Sequence, residues 1–171
     1  MSAEPANEVR LMETLARLGI AVEQHEHEAV FTVEASATLH ALIPGLHTKN
    51  LFLKDAAGCF WMVSAPHDAR VDLKALPAAI GSKKLSFGKA DDMVRLLGVT
   101  PGSVTPLAAF NDADGQVSVV IDSRLADAPR VNVHPLRNTA TLGLAGTDLL
   151  TFLTAVDHPP LVVLLPGSDP L

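Results

Sequence analysis

The sequence predicts a single α+β domain in which a mixed, curved sheet or partial barrel is flanked by helices. Three observations predict it. The chain has 171 residues, a length that suits one compact domain over 1–171. It is 48% apolar, enough for a substantial core. Helix-period segments also alternate with short apolar runs, without internal repeats or a linker-like stretch. The core must be built mainly from Leu, Val and Ala, because the chain has six Phe, one Trp and no Tyr.

Each element has its own signal. In 8–18, Leu11, Leu15 and Leu18 fall on one helical face, and Gly19 is a natural stop. Residues 20–25 suggest a short strand, followed by a helix over 32–39 with Thr32 as its cap. A polar loop at 44–50 then runs into a hairpin whose strands are 51–54 and 60–64, joined through Asp-Ala-Ala-Gly. Beyond Pro66, a helix is expected over 71–80, with Asp72 near its start and Gly81 at its end. Residues 85–88 read as extended, 91–97 as a helix stopped by Gly98, and the proline-rich 99–106 as a loop. A second hairpin is expected from 107–110 and 116–121 around Asn111–Gly115. Strands at 131–135 and 139–144, a helix at 146–156 and a closing strand at 161–165 complete the chain.

Composition removes several function classes. A net charge of −6 argues against a general polyanion surface, and no basic recognition helix for DNA is present. Local cations could still hold one nucleotide or an RNA end; Lys83, Lys84, Lys89, Arg130 and Arg137 are the candidates. The single Cys59 excludes an intrachain disulfide and a multi-cysteine zinc site, and it reads as a buried small hydrophobe. His25 and His27 flank Glu26 without a third metal ligand in sight, so neither a metal nor a cofactor is expected. The N-terminus carries both charge signs and no signal pattern. Apolar runs such as 161–165 fall far short of the ~20 residues that span a bilayer. A cytoplasmic location is the expectation.

G-x-S-x-G, H-E-x-x-H and Walker A patterns are absent. Three loop pieces at strand edges remain. In Thr48-Lys49-Asn50, an ammonium beside an apolar strand could hold a phosphate or carbonyl, or simply be solvated. In 102–106, Gly102 would let backbone N–H groups approach a ligand, or form an ordinary turn. In Val133-His134-Pro135, with Asn138 and Thr139 behind, His134 could be a base, an anchor or a satisfied core histidine.

Four segments taken in order resemble one known family: HTKNLFLKD at 47–55, LSFG at 85–88, LGVTPGSVTP at 97–106 and VNVHPLRNTAT at 131–141. Together they are similar to the YbaK/prolyl-tRNA-synthetase-associated editing family, in particular its freestanding alanyl-tRNA(Pro) deacylases. The resemblance implies a YbaK-like version of the fold and hydrolysis of a mischarged aminoacyl ester by water, without a cofactor. It implies that Lys49 anchors the terminal adenosine and aminoacyl end. Gly102 would offer backbone N–H groups near the ester, and His134 would hold the terminal nucleotide. Thr48, Asn50, Ser103, Val133 and Asn138 are expected to contact substrate. The implied partners are the acceptor end of mischarged tRNA(Pro) and prolyl-tRNA synthetase, with neither membrane nor DNA. A deacylase of the same superfamily acting on cysteinyl-tRNA(Pro) or another mischarged tRNA, and a catalytically inactive tRNA- or synthetase-binding module, are the alternatives.

Overall fold

The structure is a computed structural model that describes residues 4–29 and 33–167. Its elements run α1 (Glu4–Arg17), β1 (Glu23–Glu26), α2 (Val33–Leu42), β2 (Leu46–Asp55), β3 (Phe60–Pro66), α3 (Leu76–Ile80) and β4 (Leu85–Phe87). They continue with α4 (Ala90–Leu97), a 3₁₀ helix (Pro106–Asn111), β5 (Val117–Asp122), α5 (Ser123–Ala126), β6 (Val131–Val133), β7 (Ala140–Leu144), α6 (Gly146–Ala155) and β8 (Leu161–Val163). The expected cap Thr32 lies outside the described residues.

One mixed sheet organises these elements in the order β1-β7-β6-β2-β3-β5-β8, with β4 set against β2. Its terminal strands β1 and β8 do not meet, so the sheet curves without closing. The ten-residue β2 is its spine. One edge pairs antiparallel with β3 from Thr48↔Pro66 to Lys54↔Phe60. The other edge is shared: β6 runs parallel at Leu46↔Val131 and His47↔Asn132, and β4 pairs antiparallel from Leu53↔Phe87 to Asp55↔Leu85. Among the described residues, 48–52 therefore have no strand partner on that second edge.

Alternation along the strands divides the apolar side chains between two cores. Phe52, Phe60 and Met62 join the larger core with Leu11 and Leu15 of α1, Leu96 and Leu97 of α4, and Leu149 and Phe152 of α6. Leu53, Val63 and Ala65 face the smaller one, with Leu76 and Ile80 of α3, Val120 and Leu165. Burying each large apolar side chain contributes about 1.5–3 kcal/mol. Phe152 and Leu149 are fully buried and fasten α6 to the sheet.

Several sequence expectations are corrected. Residues 46–50 belong to β2 and not to a loop: the polar HTKN run is strand because β3 and β6 supply its ladder. Of the helix expected over 71–80, only Leu76–Ile80 is helical. The Asp72 carboxylate accepts from Lys74 N at 2.9 Å and Ala75 N at 3.2 Å, a local turn that competes with helix, and Pro77 sets the later start. The second hairpin does not form. Pro106 opens a 3₁₀ helix capped by Thr105, whose Oγ1 accepts from Leu107 N at 3.3 Å, and Leu107, Ala108 and Ala109 are all buried. The short α5, capped by Asp122, was not anticipated. Cys59 is exposed, since it lies in the turn before β3.

Candidate active site

The unpaired edge of β2 is where the sheet opens, and the site lies there. Leaving the seam at Leu46 and His47, β6 diverges from β2. Thr48 Oγ1 spans the widening with a 2.8 Å bond to the Asn132 carbonyl. The buried Asn132 amide donates to the Pro44 carbonyl at 3.0 Å, holding the turn into β2. A cavity of about 310 Å³ forms beside this seam. Thr48 and Lys49 of β2, with Val133 and His134 at the end of β6, line one part of it; His40 of α2 and His67 beyond β3 line another.

Lys49 is half-buried and its Nζ donates to the Ala69 carbonyl, so the ammonium is fixed within the cavity wall. His134 Nδ1 lies 3.2 Å from the Ala140 carbonyl. A carbonyl can only accept, so Nδ1 carries the proton and Nε2 of the neutral ring keeps its lone pair. Burial is the main force holding the His134 imidazole below the ordinary histidine range, and His27 adds to it against the Ala140 bond. The ring is therefore a neutral donor–acceptor at physiological pH.

Sequence reasoning missed the histidine cluster. The His40 and His47 rings stack with centroids 4.1 Å apart, and His67 meets His40 edge-on at 4.5 Å. His47 Nε2 donates to the Ile43 carbonyl at 2.9 Å. Burial, followed by the neighbouring imidazoles, lowers His40 to about 4. His47 is also lowered, chiefly by burial. The cavity thus carries several uncharged imidazoles beside one lysine. No spacing rule links residues drawn from α2, β2 and the turn after β3.

The remaining predicted residues form an adjoining group. Gly102 has φ +96°, in the left-handed region that favours glycine, and a Cβ there would sit 3.7 Å from Asn138 Nδ2. Ser103 is buried in a turn whose N–H bonds Thr100 at 3.0 Å. Asn50 ties this loop to the sheet, donating to the Val104 carbonyl at 3.0 Å and accepting from Ser64 Oγ at 2.5 Å. Both ends of its amide are therefore engaged within the protein. Thr48, Lys49, Val133 and His134 share the cavity, whereas Asn50, Gly102, Ser103 and Asn138 stand beside it.

Of the cations considered for RNA contact, Lys83, Lys84 and Lys89 are exposed. Arg130 and Arg137 are instead committed to carboxylates: Arg130 to Glu23, and Arg137 to Glu8 and Glu26. Among the described residues, no group of three or more His, Cys, Asp or Glu could hold a metal ion. Nor is any helix among them long and apolar enough to cross a membrane.

A mixed sheet opened along its central strand, with a lysine and neutral histidines at the opening, now meets its relatives. The family model for the aminoacyl-tRNA editing domain matches residues 27–152, and the chain belongs to that family. A Bos taurus prolyl-tRNA synthetase associated domain-containing protein 1 is 39% identical over 158 residues, covering 90% of this chain and 92% of the relative. The prolyl-tRNA editing protein ProX of Acetoanaerobium sticklandii is 40% identical over 125 residues, covering 72% and 76%. A solved structure described as a candidate trans-editing enzyme for prolyl tRNA synthetase shares the fold, with a TM-score of 0.72 at 18% identity. That match covers 95% of this chain and 98% of the other.

Proposed function

We propose that the protein is a trans-editing deacylase that hydrolyses the ester of mischarged alanyl-tRNA(Pro). The observation that carries this reading is the cavity at the β2 opening, lined by Lys49 and His134. Family membership and the likeness to ProX support the reaction class. The resemblance of the HTKNLFLKD segment to the alanine branch supports the choice of amino acid.

In this reading Lys49 exchanges its Ala69 carbonyl for an oxygen of the aminoacyl-adenosine end, acting as a point charge. The Nε2 lone pair of His134 accepts from a hydroxyl of the terminal ribose. Backbone N–H groups beside Gly102 meet the oxygen on which negative charge develops. Water attacks the ester carbonyl carbon, the bond to the ribose oxygen breaks, and that oxygen takes up a proton. The products are alanine and deacylated tRNA. A synthetase pocket that must admit proline cannot strongly exclude alanine, since a methylene is worth only ~1–3 kcal/mol; a second, smaller site corrects the error. Prolyl-tRNA synthetase is the partner that would deliver such a substrate, in the cytoplasm.

The test is deacylation of alanyl-, cysteinyl- and seryl-tRNA by the wild-type protein and by Lys49→Ala. We expect alanyl-tRNA(Pro) to be consumed fastest and Lys49→Ala to lose at least ~100-fold in rate, on the scale of removing one transition-state donor. Its circular dichroism should be unchanged. Full activity in Lys49→Ala would refute the mechanism. Faster loss of the cysteinyl ester would move the protein to the cysteine-editing branch, and tRNA binding without ester loss would make it a binding module.

A further inference from the structure

The connection between β6 and β7 carries both His134 and Asn138, so its conformation decides how the cavity and the Gly102 loop face one another. Two features hold it. Leu136 has φ +73°, a conformation that residues bearing a Cβ resist, and its side chain is buried in the larger core. Beside it, the Arg137 guanidinium is engaged in every direction. Its Nε donates to Glu8 Oε1 at 2.5 Å. Its two terminal nitrogens grip the Glu26 carboxylate at 2.8 and 2.6 Å, and Nη1 also donates to Thr139 Oγ1 at 2.8 Å.

The anchoring carboxylates come from elsewhere in the chain, Glu8 from α1 and Glu26 from β1. Both precede residue 27, where the family match begins, whereas Arg137 lies inside it. The N-terminal segment therefore holds a loop of the editing domain by a bidentate fork and a second ion pair. Holding α1 in place does not require this arrangement, because Leu11 and Leu15 already bury that helix in the core. Partly exposed ion pairs also add little to global stability. What a guanidinium fork supplies, and a lysine does not, is a fixed orientation of the chain that bears it.

We propose that Arg137 is a positioning residue for the editing site: closed on Glu8 and Glu26, it sets the loop of His134 and Asn138 against Lys49 and Gly102, and makes the N-terminal segment a working part of that site. The proposal rests on the deacylase reading above. The guanidinium holds Glu26 at about 2, so the fork persists across the working pH range.

The experiment compares wild type, Arg137→Lys, Glu26→Gln and the double variant by steady-state deacylation of alanyl-tRNA(Pro), thermal unfolding, and NMR of the His134 ring and the Asn138 side-chain amide. A displacement of about 1 Å can cost ~100-fold in rate. We expect each single variant to lose at least tenfold in kcat, with KM within twofold and Tm nearly unchanged. The double variant should be no slower than Arg137→Lys, because both substitutions open the same fork. Both NMR probes should shift or broaden. Wild-type kcat with unmoved resonances in both single variants would overturn the proposal, as would rate losses that track Tm. If the wild-type protein hydrolyses no aminoacyl-tRNA, the deacylase reading fails, and the NMR probes alone still decide whether the fork sets the loop.

Discussion

Asn50→Ala offers a sharp test of how the site is assembled. The Asn50 amide bridges the Val104 carbonyl and the Ser64 hydroxyl, and Ser64 is wholly buried. Truncation leaves an acceptor and a donor without their partner, each costing about 1–3 kcal/mol if nothing replaces it. The hydroxyl can rotate and the carbonyl can find water, so a net loss of about 2 kcal/mol is the working figure. For a chain of this size that lowers Tm by roughly 4–8 °C. Urea denaturation of wild type, Asn50→Ala, Ser64→Ala and the double variant measures the coupling. The double variant should recover part of the loss, because removing both partners costs less than orphaning one. If Asn50 instead serves as a substrate contact, Asn50→Ala will keep wild-type stability and raise only KM. That outcome would refute the strut reasoning.

Two further outcomes are expected. Gly146→Ala should destabilise by about 1–3 kcal/mol or more, since the new Cβ would sit 2.1 Å from the Leu125 carbonyl oxygen; thermal unfolding reads it directly. The lowered pKa of His40 should make stability depend on pH. His40 titrates near 4 in the folded protein against about 6.5 unfolded, so between these values the unfolded chain binds the extra proton. The stability that the neutral ring contributes is complete above about 6.5 and declines as pH falls toward 4. Urea midpoints between about pH 5 and 7 should drop with pH, and His40→Gln should flatten the slope. A slope identical to wild type would remove His40 as its source.

The sequence made the fold class legible because most elements carried local punctuation. Gly98 closes α4 with φ +68° and its N–H on the Val94 carbonyl, as its place after Leu97 suggested. The β2–β3 hairpin announced itself by its turn residues. Leu107–Ala109 misled because a run buried on every side has no period, although Thr105 and Pro106 were available as helix-start signals. At 46–50 polarity suggested a loop, yet these residues are strand. Their polar side chains are used locally: Thr48 and Lys49 line the cavity, and Asn50 bonds Val104 and Ser64. Lys49, Gly102 and His134 were individually visible as candidates, but only the family resemblance joined them. The His40–His47–His67 contacts and the Arg137 fork join residues far apart in the chain, and no local pattern encodes them.

The seam between β2 and β6 has a mechanical consequence. Among the described residues, strand pairing joins the β1-β7-β6 half to the rest of the sheet at Leu46 and His47, and the larger core packs against both parts. A longer ladder would spread shear over many bonds; here it concentrates on two register positions. Lys49 lies two residues beyond that seam on β2, and His134 two residues beyond it, just past the end of β6. The bonds from Thr48 and Asn132 across the seam therefore brace the point where the two strands part.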